Sequence, residues 1–166
     1  MTGRKIDLEA EIDATHKEIL DMFPKDLLRL DDIPALRAAI KSEPVDFPEN
    51  VLVEDVMIPG LNNDPDVKVR LYKPIGLAKE SPCLLWMHPG GMTIGDANME
   101  DLTSAQRAVD HSCLVASVDY RLAPENPYPS APDDCYAALD WFANNATELG
   151  LSPSRIAIGG ASAGAG

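Results

Sequence analysis

The stretch Ile156-Ala157-Ile158-Gly159-Gly160-Ala161-Ser162-Ala163-Gly164 sets a short apolar run directly against a Gly-x-Ser-x-Gly spacing. An apolar run of this size that ends in glycine reads as a buried strand. A serine with small residues on both sides suits a sharp, strained turn that lifts its hydroxyl above the end of that strand. Gly160, Ala161, Ala163 and Gly164 are all small enough for such a turn. The same composition also fits a glycine-rich linker, so the neighbouring elements must decide between turn and linker. Two phosphate readings of these glycines are poorer. Gly159 and Gly164 have the spacing of a phosphate-cradling loop, but Ala165 stands where its lysine belongs. A dinucleotide fingerprint would have to begin at Gly164, well past the strand.

Working back from the motif, the chain alternates strand and helix. Ser130 to about Asn145 reads as a helix with Cys135, Ala138, Leu139 and Phe142 on one face, and Ser130 with Asp133 resembles a capping box at its start. The apolar runs Cys83–Met87 and Cys113–Val118 read as strands separated by a helical stretch around Met99 to His111. Strand, helix, strand is the signature of a parallel crossover. Before these, "VEDVMIP" and "VKVRLYKP" are strand-like, the second alternating Val67, Val69 and Leu71 against Lys68, Arg70 and Tyr72. The turn residues Asn62 to Asp66 between them make this a hairpin. The expected core, residues 46–166, is therefore an α/β sheet that opens with a hairpin and continues with parallel strands.

Residues 1–45 read as helical. Leu8, Ile12, Ile19 and Phe23 lie on one stripe and Pro24 ends or bends that helix. A second helix with Leu36 and Ile40 restarts after Asp31 or Asp32 acting as a cap, which puts Pro34 in its first turn. From the residues alone, these helices either cover the core or form a lid over a site.

Composition limits the partners. Hydrophobic residues make up 45% and charged residues 25% of the 166-residue chain, the profile of a globular protein with one core. With 27 acidic against 14 basic residues the formal net charge is -13, so nucleic acid and anionic membrane surfaces are not expected partners. Cys83, Cys113 and Cys135 are odd in number and widely spaced, which indicates neither a disulfide framework nor a zinc site and fits a reducing compartment. No apolar stretch approaches the roughly 20 residues that a membrane span requires, and the N-terminus lacks the apolar run of a secretory signal. A cytoplasmic location is the resulting expectation.

A second loop carries chemistry. "LLWMHPGGMTIGD", Leu84 to Asp96, is a strand that opens into His88-Pro89-Gly90-Gly91. A glycine pair after a strand allows backbone N–H groups to converge on one point, as oxyanion stabilisation requires, although a plain strand-to-helix turn would look the same. Parallel strands would bring this loop and the serine turn to one edge of the sheet, where open α/β sheets bind ligands.

"HPGGM", "SVDYRLAPENPYPSAPDDCYAALDW" and "GASAG", in this order and at these separations, resemble the hormone-sensitive-lipase-like carboxylesterases of the α/β-hydrolase fold. The resemblance spans about Val51 to Gly166, and the run Asp119 to Glu125 is its most specific part. It implies an α/β-hydrolase fold truncated after the nucleophile turn, with residues 1–45 as part of a cap. It implies Ser162 as nucleophile and the N–H groups of Gly90, Gly91 and Ala163 as the oxyanion hole. The implied reaction is hydrolysis of a small, uncharged, short-chain ester through an acyl-enzyme, with no cofactor or metal. The acid and histidine of the triad are expected beyond Gly166, because in this fold they follow the serine in sequence. A second copy of the chain, or a complementary C-terminal fragment, is a candidate partner. The family also includes receptors that bind small molecules without hydrolysing them, so a receptor or an inactive remnant is the alternative.

Three positions depart from the family pattern: Pro89 occupies the first of three usual glycines, Ala161 stands where an acid is frequent, and Met92 stands where an aromatic is usual. His88, Asp119 and Ser162 also occur in the order of an unrelated protease class, but that class is built on β-barrels and the crossovers here argue against it. His88 is expected to fix the loop, His111 to place charge near a helix C-terminus, and His16 to lie on the surface or in the cap. Asp119 and Arg121 are expected to serve hydrogen bonding and ion pairing within their own loop.

Overall fold

Side chains alternate in direction along each strand, so a sheet with apolar residues at successive positions needs cover on both faces. The computed structural model, which describes residues 13–16, 32–40 and 44–166, shows that arrangement. Strands β1 (Val51–Ile58) and β2 (Val67–Pro74) form the expected antiparallel hairpin, Val51 opposite Pro74 and Ile58 opposite Val67. The tight connection between them places Asn62 and Asn63 at positive φ, 50° and 69°, a conformation asparagine tolerates better than most residues. Strands β3 (Ser81–Met87), β4 (Leu114–Asp119) and β5 (Leu151–Gly160) complete one five-stranded sheet in the order β1-β2-β4-β3-β5. The β3–β4 and β3–β5 pairs are parallel, and β2 joins β4 antiparallel.

Among the described residues there are three α-helices, two of which pack on the sheet. Helix α1 (Ile33–Ala39) is capped by Asp32, whose side chain accepts the Ala35 N–H at 3.1 Å, with Pro34 in the first turn as expected. Leu36 is its buried residue. Helices α2 (Asp101–His111) and α3 (Ser130–Asn145) fill the two crossovers and take opposite faces. Ala105 and Ala108 of α2 pack with Tyr72 and Val115, whereas Ala137, Ala138 and Phe142 of α3 pack with Leu71, Leu85 and Ala116. Adjacent residues such as Leu71 and Tyr72 thus enter different cores.

Three expectations are corrected. Tyr72 does not lie with the polar face of β2: it is fully buried under α2, where its hydroxyl donates to Asp101 at 2.6 Å. Ser130 does not cap α3. The Asp133 N–H that a capping serine would engage is bound by the Pro129 carbonyl at 2.9 Å, so the helix begins one residue earlier and has no side-chain cap. Strand β5 begins at Leu151 instead of Ile156. Its register jumps from Leu151 opposite Ser81 to Ile156 opposite Cys83, and the irregular part includes Pro153, which has no N–H for a ladder.

The stripe of Leu8, Ile12, Ile19 and Phe23 lies outside the described residues. Among the described residues, strand β5 forms one edge of the sheet, with Ile158 60% exposed. No helix among the described residues is long and apolar enough to cross a membrane.

Candidate active site

The parallel pairing of β3 and β5 brings the ends of both strands to one edge, with Met87 opposite Gly160. Beyond Gly160 the chain turns at once: Ala161 is extended, Ser162 has φ +52°, and Ser162–Ala165 forms a single tight helical turn. Positive φ at a serine is a strained conformation that the surroundings must enforce. Close approach at two glycines enforces it. A Cβ on Gly160 would collide with the Gly164 carbonyl, and a Cβ on Gly164 would fall within 2.6 Å of the His88 carbonyl oxygen and still closer to that of Met87. The Ala161 N–H donates to the Met87 carbonyl at 3.2 Å. The serine turn is therefore docked directly on the end of β3, and the Ser162 side chain is left exposed.

From the same strand end runs the loop His88–Ile94. Gly90 and Gly91 have φ of +131° and +64°, and the Thr93 and Ile94 N–H groups both return to the Gly90 carbonyl, at 3.1 and 3.0 Å. Among the described residues no acceptor engages the N–H groups of Gly90, Gly91 or Ala163. Donors left free at a strand end are suited to bind an anion or a developing oxyanion. The Pro89 carbonyl accepts from the His88 ring at 2.7 Å.

His88 is 1% exposed and stacks on Tyr120, with ring centroids 4.1 Å apart and 4° between planes. The Tyr120 hydroxyl donates to the His88 carbonyl at 2.6 Å. Because the Pro89 carbonyl only accepts, the proton of the imidazole belongs on Nδ1. Burial holds the pKa of His88 below its ordinary value, so the ring is neutral near pH 7 and buttresses the loop. Burial likewise raises the Tyr120 phenol, which stays protonated and able to donate.

Asp119 makes no hydrogen bond or ion pair with His88. Its carboxylate accepts the Ala97 N–H at 3.1 Å and pairs with Lys68 at 2.7 Å. Arg121 is bound by Asp134 through its backbone N–H and its guanidinium, and by Asp64 at 2.7 Å. Both residues bond and ion-pair as expected, but the expectation that they do so within their own loop is corrected: Lys68, Ala97, Asp64 and Asp134 all lie outside it, so the pair ties the loop to neighbouring elements. The alternative His88–Asp119–Ser162 relay is not assembled. His111 sits in the last turn of α2 and His16 is exposed in a short turn. Met92, at φ +55°, gives its carbonyl to the Ala123 N–H at 2.9 Å. Its side chain joins Met87, Tyr120, Cys135, Ala163 and Gly164 around a cavity of about 120 Å³. Burial pushes the Cys135 thiol up to about 12, which keeps it an apolar wall.

Sequence reasoning missed two residues of this site. Tyr120 reads as part of a motif although it carries the His88 ring. Arg37, whose guanidinium donates to the Thr93 and Ala123 carbonyls, carries no sequence signal because these partners lie in loops far along the chain.

A mixed sheet with parallel crossovers and helices on both faces, a strained serine turn after β5 and a glycine loop after β3 define the class, and the chain belongs to the alpha/beta hydrolase fold family, which matches residues 84–166. It is 40% identical over 157 residues to a carboxylesterase, NlhH, of Mycobacterium tuberculosis, covering 93% of this chain and 49% of that protein. It is 38% identical over 163 residues to the esterase LipI of the same species, covering 95% of this chain and 50% of that one. Among solved structures, a bacterial heroin esterase superposes with a TM-score of 0.79 at 40% identity, over 92% of this chain and 49% of that chain. The chain thus spans about half the length of the relatives it matches.

Proposed function

We propose that this chain carries the nucleophile and oxyanion hole of a serine carboxylesterase acting on small, uncharged, short-chain carboxylic esters. Ser162 attacks the ester carbonyl to form an acyl-enzyme. The N–H groups of Gly90, Gly91 and Ala163 receive the oxyanion, each contributing on the order of 3 kcal/mol to the transition state. The proton is handled by a histidine and an acid from outside residues 1–166, since His88 is committed to the loop. Residues 1–45 serve as part of a cap. The observation that carries the reading is the forced positive φ of Ser162 on a turn docked against the strand that leads into the free glycine amides. The esterase names of the relatives support the same reaction.

The test is Ser162→Ala in the full-length protein, with a short-chain chromogenic ester as substrate. Hydrolysis should be abolished with the fold intact. A serine-directed organophosphonate should add its mass to the tryptic peptide that begins at Ile156. Substantial hydrolysis by the variant excludes Ser162 as nucleophile. A wild-type protein that neither hydrolyses esters nor takes the label favours the receptor reading.

A further inference from the structure

Arg37 lies on α1, yet its guanidinium is bound both to the His88–Ile94 loop and to the loop that follows β4. Nε donates to the Thr93 carbonyl at 2.9 Å and Nη2 donates to the Ala123 carbonyl at 2.9 Å. Nη1 and Nη2 also reach the two carboxylate oxygens of Glu125, at 2.8 and 2.9 Å. The loops are themselves tied by the Ala123 N–H to the Met92 carbonyl, one residue before Thr93. Arg37 therefore closes a ring of contacts: Met92 to Ala123, Ala123 to Arg37, and Arg37 back to Thr93. A guanidinium presents its donors in a rigid plane, so it fixes the angle between these carbonyls as well as their distance. The ion pair with exposed Glu125 adds little by itself. The two carbonyl contacts, partly buried, are the part that another cation does not reproduce.

We propose that Arg37 is a positioning residue for the Gly90 and Gly91 amides, coupling the docking of α1 to the oxyanion site; this rests on the esterase reading above. Thr93 ends the turn whose first carbonyl belongs to Gly90. Holding Thr93 from outside therefore holds the glycine pair in the conformation that aims its N–H groups. Donors of this kind stabilise a transition state because they are oriented before charge develops. A loop freed at Thr93 still admits substrate but must be ordered again at each turnover, so the loss falls on kcat more than on KM.

The test compares Arg37→Ala, Arg37→Lys and Glu125→Gln with wild type in the full-length protein, by amide hydrogen exchange and by short-chain ester kinetics. Arg37→Ala should speed exchange at Thr93, Ile94 and Ala123 about tenfold, leave the β1–β2 hairpin unchanged, and lower kcat about tenfold with KM moving less than about twofold. Arg37→Lys, which keeps the charge and loses the fork, should resemble Arg37→Ala and supplies the same readouts if the alanine variant does not fold. Glu125→Gln, which spares both carbonyl contacts, should stay near wild type. Unchanged exchange at these three amides in both Arg37 variants overturns the proposal, as does a Glu125→Gln defect equal to theirs. If the protein shows no Ser162-dependent hydrolysis, the esterase reading fails separately, and exchange alone decides the role of Arg37: faster exchange supports it and unchanged exchange overturns it.

Discussion

Replacing Gly164 with alanine tests whether the serine turn is positioned by its contact with β3. The added Cβ would sit 2.7 Å from the Met87 carbonyl carbon, where carbon atoms ordinarily meet at about 3.5 Å. Backbone on both sides prevents easy escape, so the turn must withdraw by about 0.8 Å. Overpacking of this kind costs about 1–3 kcal/mol. Weakening the 3.2 Å bond from the Ala161 N–H to the Met87 carbonyl adds about 1 kcal/mol. The expected loss of stability is about 2–4 kcal/mol by urea unfolding. A displacement near 1 Å also separates Ser162 from the glycine amides, for which about a hundredfold fall in kcat/KM is expected. The control is Gly150→Ala. Gly150 has φ +73° and open space where its Cβ would stand, so alanine there should cost only about 1 kcal/mol of backbone strain and leave hydrolysis unchanged. A Gly164→Ala protein within about 0.5 kcal/mol of its parent, hydrolysing at the parental rate, would refute the claim that close packing on β3 places the serine.

Asp134 is 1% exposed and binds Arg121 by backbone and side chain. Asp134→Ala should therefore destabilise the protein by about 3–5 kcal/mol, because it strands a charge whose remaining partner is the more exposed Asp64; a thermal shift of a degree or two would count against this. His88 supplies a pH dependence. Its pKa is depressed by burial from an ordinary 6.5, so above that pH the ring is neutral folded or unfolded. As pH falls below it the unfolded chain takes up a proton first, and stability declines. The melting temperature of wild type should therefore fall more steeply from pH 7 to pH 5 than that of His88→Asn; parallel curves would show that His88 carries no such burden.

Much of this architecture was legible in the sequence, for local reasons. The hairpin, the crossovers and the helix over Ser130–Asn145 follow from apolar periodicity and turn residues, which act over a few positions of chain. The serine turn and the glycine loop were legible because both need small residues in sequence next to a strand. The cap at Asp32 was readable too, since Asp and Pro sit within one turn of each other. Tertiary structure decided what depends on distant partners. Tyr72 looks polar-faced by alternation, yet α2 covers that face and gives its hydroxyl a carboxylate. Ser130 has the spacing of a cap, but the Pro129 carbonyl reaches the Asp133 N–H first. Arg37 carries no local mark, because the carbonyls of Thr93 and Ala123 that define it meet only after β3 and β4 pair. A sequence states which residues are able to bond along a strand or around a helix turn; which carbonyl stands within reach of a guanidinium is set by how the strands pair and the loops cross.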